Sequence, residues 1–171
     1  KVVLLGGGGF VGRCIASRLS GRGFNVTVPT RRRNNRKELA MLPGVCLVAA
    51  NIHDPLELED LFVGADAVIN LVGILHDSDS SQPYGRRFAA AHVELPRKIV
   101  AAMQRAGVRR LLHMSALKAA SDAPSSYLRS KAAGEALVVG AAGEIDATVF
   151  RPSVIFGPED VFLNTFASLL K

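Results

Sequence analysis

The stretch "KVVLLGGGGFVGR", residues 1–13, decides the fold. An aliphatic run, Val2 to Leu5, meets four consecutive glycines, Gly6 to Gly9, and then Phe10-Val11-Gly12. Glycine costs about 0.5–1 kcal/mol more than alanine to order inside an element. Four in a row directly behind an apolar run therefore need a reason. The residues that follow supply its frame: Val11, Ile15 and Leu19 recur at helical spacing until Gly21 and Gly23 end the pattern. The glycines thus sit where a first strand turns into a first helix.

The same alternation continues along the chain. "NVTV" (Asn25 to Val28), "VCLVAA" (Val45 to Ala50), "AVINLV" (Ala67 to Val72), "RLLHMS" (Arg110 to Ser115) and "ATVFRP" (Ala147 to Pro152) read as five further strands. Helical patterns separate them. "HDPLELEDLF" starts a helix with Asp54 as N-cap and Pro55 at the first helical position. A long pattern from about Phe88 to Ala106 is helical with an expected kink at Pro96, and another helix begins near Tyr127. The strands are continuous apolar runs, which suits a sheet buried on both faces. Strand–helix alternation with short connections predicts an α/β fold: a Rossmann-type doubly wound parallel sheet with helices on both faces, over residues 1–171 as one domain. "HDSDSSQPYGRR" (His76 to Arg87) reads as an exposed loop after the fourth strand.

Composition narrows the function classes. At 49% hydrophobic and 21% charged residues the chain can bury a core and has no compositional reason to be disordered. No apolar run approaches the roughly 18 residues of a membrane span. The chain starts inside an apolar run and stops soon after the sixth strand, so a missing native start and a missing C-terminal substrate-binding part are expected. Net charge is +6, much of it in "RRRNNRK" (Arg31 to Lys37), but the run is short and lacks interleaved aromatics, which argues against nucleic acid. Cys14 and Cys46 have no metal or redox spacing and read as buried free thiols. His53, His76, His92 and His113 do not cluster at ligand spacing, so no metal site is assigned.

In a doubly wound sheet the first strand-to-helix turn cradles a dinucleotide pyrophosphate against backbone N–H groups at the positive end of the helix. Glycine lets the phosphates come close. Two registers fit: Gly7-x-Gly9-x-x-Gly12 and Gly6-x-x-Gly9-x-x-Gly12. An acidic residue about 20 positions further on would hold the ribose 2′-hydroxyl of NAD. The chain instead has "VPTRRRNN" there. Arginine's planar fork matches a 2′-phosphate, so NADP(H) is the expected cofactor, with NAD(H) the alternative. Arg31 is the chosen contact, with Arg32 or Arg33 as replacements.

"YLRSK" places Tyr127 and Lys131 four residues apart on one helix face, and Ser115 ends the fifth strand, where a doubly wound sheet puts its ligands. A lysine ammonium beside a phenol lowers its pKa, which equips tyrosine to pass a proton to or from a substrate oxygen. Ser115 would bond the same oxygen and Lys131 would reach the nicotinamide ribose. Arg151, after the sixth strand, reads as structural.

With "GGGGFVG", "NLVG", "HMSA", "YLRSK" and "FRPSVIFGP" on the page, the chain resembles the extended or atypical short-chain dehydrogenases/reductases (NAD-dependent epimerase/dehydratase-like) over nearly its whole length. "VPTRRR", "INLVGI", "HVELPRKI" and "FRPSVIFGPEDVFLNTFA" are similar to the branch that contains the NADPH-binding accessory subunit of respiratory complex I and its bacterial relatives. The resemblance implies cofactor contacts: Phe10 and Val11 at the pyrophosphate, Asn51 and Ile52 at adenine, Leu71, Val72 and Gly73 at the adenine ribose, and Pro152, Val154 and Ile155 at the nicotinamide. It implies either a hydride-transfer oxidoreductase using the Tyr/Lys pair on a small-molecule or quinone-like substrate, or a non-catalytic NADP(H)-binding accessory protein of a respiratory or quinone-related assembly. The corresponding location is the cytoplasm, peripheral at the inner face of the cytoplasmic membrane.

Overall fold

Alternation along the first strand sets up three layers. The computed structural model describes residues 1–31, 37–157, 159–160 and 164. In β1 (Val2–Leu5), Val2 and Leu4 face one apolar cluster while Val3 and Leu5 face another, and all four are buried. Burial on both faces explains why the run is continuously apolar. β2 (Val26–Thr30), β3 (Val45–Ala49), β4 (Ala67–Asn70), β5 (Arg110–Met114) and β6 (Asp146–Phe150) complete one parallel sheet in the order β3-β2-β1-β4-β5-β6. Two helices, α1 (Phe10–Ser20) and α2 (Lys37–Ala40), bring Ala16 and Leu39 to the Val2/Leu4 face. On the other face α3 (Pro55–Phe62), α5 (Leu95–Ala106) and α6 (Ser126–Gly140) supply Phe62, Ile99, Met103 and Val138. This is the doubly wound α/β architecture read from the sequence.

The strand order reverses between β1 and β4, which opens a crevice at the carboxyl ends of these strands. β2 runs to Thr30 and includes Pro29. That residue is tolerated because the recorded β1–β2 register ends at Val3–Thr27, so Pro29 pairs only toward Val48 on β3. Asp54 caps α3, accepting from the backbone N–H of Leu56 and Glu57 at 2.9 and 3.4 Å, with Pro55 at the first position.

One local expectation is corrected and two gain detail. The helix expected over 88–106 is a short α4 (Arg86–Phe88), a π-helical segment (Ala89–Glu94) and α5. Pro96 falls in the first turn of α5, directly after the π-helical segment, with helical backbone on both sides; its missing N–H leaves the His92 carbonyl without the usual partner four residues on, and the irregularity is the wide turn ahead of it. The polar stretch from His76 to Arg87 is mostly the exposed loop expected, and its aspartates give it internal structure. Asp77 accepts from the N–H groups of Arg87 and Phe88 at 2.7 and 2.9 Å, and Asp79 accepts from the N–H and Nε of Arg86 at 3.1 and 2.7 Å, folding the loop onto the start of α4. Finally, Cys14 and Cys46 are exposed. Cys14 lies away from the buried Gly12 and Ala16 of α1, and Cys46 lies on the edge strand β3, beyond the cover of the flanking helices.

Candidate functional site

The β1–α1 turn is built by glycines with separate duties. Gly6 has φ +80°, the left-handed region open to glycine, and a Cβ there would lie 3.1 Å from the Leu71 backbone. A Cβ on Gly12 would lie 2.4 Å from the Gly6 carbonyl oxygen, so α1 packs on the turn only without one. Gly9 differs: a Cβ there meets nothing nearer than the Gly6 carbonyl at 3.4 Å. Packing does not demand glycine at position 9. Gly9 is also the N-cap of α1, with no side-chain cap, and the first turn has no acidic residue. The first turn of α1 thus carries no anion of its own. These residues fit a bound pyrophosphate.

The strand ends beside the turn carry the other residues. Arg31 follows β2 directly and is exposed. Its charge reaches His53, whose pKa is lowered by burial first and then by Lys98 and Arg31. Arg32 and Arg33 lie outside the described residues. The side-chain oxygen of Asn51 accepts from the His53 N–H at 3.1 Å, and the Asn51 N–H donates to Glu57 at 2.8 Å, which braces the entry to α3. Ile52 is half-buried against the core beneath that turn. At the end of β4, buried Asn70 accepts from the Val72 N–H and donates to Nδ1 of His113, both at 3.1 Å, so Leu71-Val72-Gly73 leaves the sheet under tight control.

The Tyr127–Lys131 pair stands on α6, started by Ser125, whose hydroxyl accepts from the Leu128 N–H at 3.2 Å. Lys131 is buried and its ammonium donates to the Met114 carbonyl at the end of β5. Burial draws its pKa down to about 8, with Glu135 opposing. Tyr127 packs edge-on against Phe88 and His92, with ring centres 6.0 and 5.6 Å away. Its pKa is raised by burial, not lowered by the lysine as the spacing suggested. The ammonium is engaged by a backbone carbonyl, and loss of water disfavours the phenolate. Ser115 is buried too, and its hydroxyl donates to Glu135 at 2.6 Å. Glu135 is in turn forked by Arg151, Nε to Oε2 at 2.9 Å and Nη2 to Oε1 at 2.5 Å. This network ties the ends of β5 and β6 to α6, the structural role expected of Arg151.

His92 is the residue whose part the sequence did not reveal. Its Nε2 accepts from the Ile74 N–H at 3.1 Å, and its Nδ1 lies 2.8 Å from the Ser130 hydroxyl, which donates to the Tyr127 carbonyl at 2.7 Å. One neutral imidazole thereby pins the segment after β4 to α6. Burial, then the charge of Lys131, lowers the pKa of His92 to about 3 and that of His113 to about 4. An unfolded chain takes up these protons near pH 6.5 and the folded chain does not, so stability falls as pH drops from about 6.5 toward 4. The expected slope is up to about 1.4 kcal/mol per pH unit for each histidine. Urea unfolding midpoints at pH 7.5 and pH 5 measure it, and equal midpoints contradict the burial of two neutral histidines.

A cleft of about 570 Å³ runs along the strand ends. Phe10, Val11, Leu71 and Gly73 line one part, Ser115, Tyr127 and Lys131 another, and Pro152, Val154 and Ile155 border it. Gly6, Gly9, Gly12, Arg31, Asn51, Ile52 and Val72 stand outside its lining.

Comparisons with known proteins give the family and the fold. The model of the NAD dependent epimerase/dehydratase family matches residues 2–170. The chain is 32% identical over 169 residues to NADH dehydrogenase (ubiquinone) 1 alpha subcomplex subunit 9, mitochondrial, of Mus musculus, covering 96% of this chain and 43% of that protein. It is 31% identical over 172 residues to the protein of the same name from Dictyostelium discoideum, covering 97% and 45%. The chain thus spans less than half the length of these relatives. Among solved structures, a double mutant of DesIV (dTDP-glucose 4,6-dehydratase) from Streptomyces venezuelae with NAD and DAU bound has the same fold, with a TM-score of 0.81 at 21% identity over 99% of this chain and 62% of that one.

Proposed function

The chain belongs to the NAD dependent epimerase/dehydratase family, and from that premise we propose that residues 1–171 are the dinucleotide-binding part of an oxidoreductase that exchanges a hydride between NADP(H) and a carbonyl or alcohol substrate. The observation that carries this reading is one cleft lined both by Phe10 and Val11, which follow the glycine turn in sequence, and by Tyr127 and Lys131. A bound nicotinamide supplies the hydride. The chain's own groups do the rest: the Gly9 region and the α1 N-terminus bind the pyrophosphate, Lys131 holds the ribose hydroxyls, and Tyr127 gives the proton to the substrate oxygen. A phenol kept protonated by burial suits that donor role. Preference for NADP(H) over NAD(H) rests on Arg31, standing where a carboxylate would otherwise receive the ribose.

A second reading is an NADP(H)-binding accessory protein of respiratory complex I or a quinone-related assembly, peripheral at the cytoplasmic face of the membrane. Two observations favour it. The relatives named above are subunits of a ubiquinone-linked NADH dehydrogenase by name, and the Ser115 hydroxyl is already donated to Glu135. No helix among the described residues is long and apolar enough to cross a membrane.

Titration of the full-length protein tests the cofactor site. Gly9→Val puts a side chain where the pyrophosphate lies, and affinity for either dinucleotide is expected to fall well over tenfold, at about 1.4 kcal/mol per decade. Unchanged affinity in the folded variant overturns the site. Arg31→Ala removes a charge-assisted hydrogen bond of about 1.5–3 kcal/mol and is expected to erase most of the NADP(H) preference while NAD(H) affinity holds. Equal wild-type affinities overturn the preference and leave the site standing.

A further inference from the structure

Glu135 stands where bracing alone does not account for it. α6 carries it four residues after Lys131, so the two side chains share a helix face, and both are buried. Each bonds elsewhere. Lys131 donates to the Met114 carbonyl, and Glu135 accepts from Ser115 and Arg151. Burial alone would raise the Glu135 carboxyl, but the bonds from Arg151 and Ser115 outweigh it and hold the group below the usual carboxylate range. A full negative charge is therefore fixed one helical turn from the buried ammonium.

A buried ammonium needs a countercharge, because loss of water favours the neutral amine. The other groups around Lys131 do not supply one. Tyr127, one turn earlier on α6, is a phenol whose pKa is raised by burial. His92 on the π-helical segment and His113 on β5 are drawn down by burial to about 3 and about 4, so both are neutral at pH 7. Asn70, at the end of β4 and bonded to His113, carries no charge. Arg151 is a cation, but its side chain is 52% exposed, so water screens its repulsion. Among the described residues Glu135 is the one carboxylate whose charge raises the Lys131 pKa. Between two buried groups that attraction is screened far less. The charge also sets the donor count. An ammonium has three N–H groups, of which Met114 takes one and two remain for a pair of ribose hydroxyls. A neutral amine has one fewer.

We propose that Glu135 is a positioning residue of the dinucleotide site: its carboxylate, clamped by Ser115 and Arg151, keeps the Lys131 ammonium protonated and so keeps two of its N–H groups available to the ribose. The proposal rests on the reading above that Lys131 holds the ribose hydroxyls, and adds what controls that hold.

The test compares Glu135→Gln, which keeps the shape and removes the charge, with Arg151→Gln, which breaks the same brace and leaves the carboxylate. In the full-length protein with lysine labelled by carbon-13 at Cε, an NMR pH titration reads the Lys131 midpoint, its resonance being the one missing in Lys131→Met. The midpoint is expected to fall from about 8 to about 7 or below in Glu135→Gln, the size of losing a nearby opposite charge, and not to fall in Arg151→Gln. Glu135→Asp, which keeps the charge, is expected to restore most of it. Should Glu135→Gln not fold, the double variant with Arg151→Met leaves no unpaired cation, and the same fall is expected there. Titration with NADP⁺ is expected to follow the midpoint: at pH 7.5 Glu135→Gln binds roughly threefold more weakly than wild type, and at pH 6 nearly as well. An unchanged midpoint without the carboxylate, or an equal fall in Arg151→Gln, overturns the proposal whatever NADP⁺ does. A fall that NADP⁺ affinity ignores leaves the control of Lys131 by Glu135 standing and overturns the ribose role of Lys131.

Discussion

Gly134→Ala is expected to destabilise the protein by about 3 kcal/mol, the upper part of the usual range for overpacking a closed contact. For a chain of this size each kcal/mol lowers Tm by about 2–4 °C, so thermal unfolding reads the change easily. In a free helix the same substitution would help by up to about 1 kcal/mol. The sign reverses because a Cβ on Gly134 would lie 1.8 Å from the His92 carbonyl oxygen and 3.5 Å from Pro96 Cγ. Pro96 has no N–H to offer the carbonyl four residues before it, and that carbonyl, within the π-helical segment, is where the backbone of α6 comes closest. Alanine must push α6 off that segment, and α6 carries Tyr127, Ser130, Lys131 and Glu135. Gly140, at the end of the same helix, has no neighbour within 4 Å of a Cβ, so Gly140→Ala is expected to be neutral or slightly stabilising. Equal Tm values for the two variants would contradict the packing of α6 on the π-helical segment.

This contact marks the boundary of what the sequence makes legible. The glycine turn was readable because much of its reason is local: strand, turn and helix follow one another within thirteen residues, and a side chain at Gly12 is excluded by Gly6 and Gly7 of the same turn. The six strands were readable because their runs are mainly apolar: β1 is buried at all four positions, and the polar residues of the others, such as Arg110 and Asp146, stand mostly at strand ends. Gly134 was not readable. "AAGEALVVG" holds nothing to show that its glycine meets a carbonyl 42 positions earlier. Nor was the π-helical segment, since "AAAHVE" has ordinary helical composition and only the packing of α6 and the position of Pro96 give it a reason.

The candidate site divides in the same way. Residue types and spacing brought Tyr127, Lys131 and Ser115 to one strand end and one helix, and all three line the cleft. Their electrostatics depend on burial and on third residues. The ammonium expected to sharpen the phenol is drawn to the Met114 carbonyl, and burial moves the tyrosine the other way. The serine expected at the substrate oxygen gives its proton to Glu135, four residues past Lys131 and without a signal of its own. His92 stood alone in the sequence and becomes the pin between the segment after β4 and α6 only when the chain is folded.

Tyr127→Phe is expected to lower turnover by about 10²–10⁴-fold, the range of a lost general acid, while leaving dinucleotide affinity and stability nearly unchanged. The ring keeps its edge contacts with Phe88 and His92, so only the proton donor is removed. Lys131→Met acts on the other half of the pair. It keeps the apolar stem buried and deletes the ammonium, and dinucleotide affinity is expected to fall by about 1.5–3 kcal/mol, the size of a charge-assisted hydrogen bond. The two variants also differ in pH dependence. With the lysine pKa drawn down to about 8, the ammonium is present below that pH and lost above it, so dinucleotide affinity of the wild type is expected to weaken as pH rises through about 8 and that of Lys131→Met is not. In a non-catalytic accessory protein the lysine effects persist and the tyrosine change leaves no trace. Measuring hydride transfer and dinucleotide affinity on the same two variants therefore separates the two readings: full turnover in Tyr127→Phe removes the proton-donor role, and pH-independent affinity in the wild type removes the ammonium from the ribose.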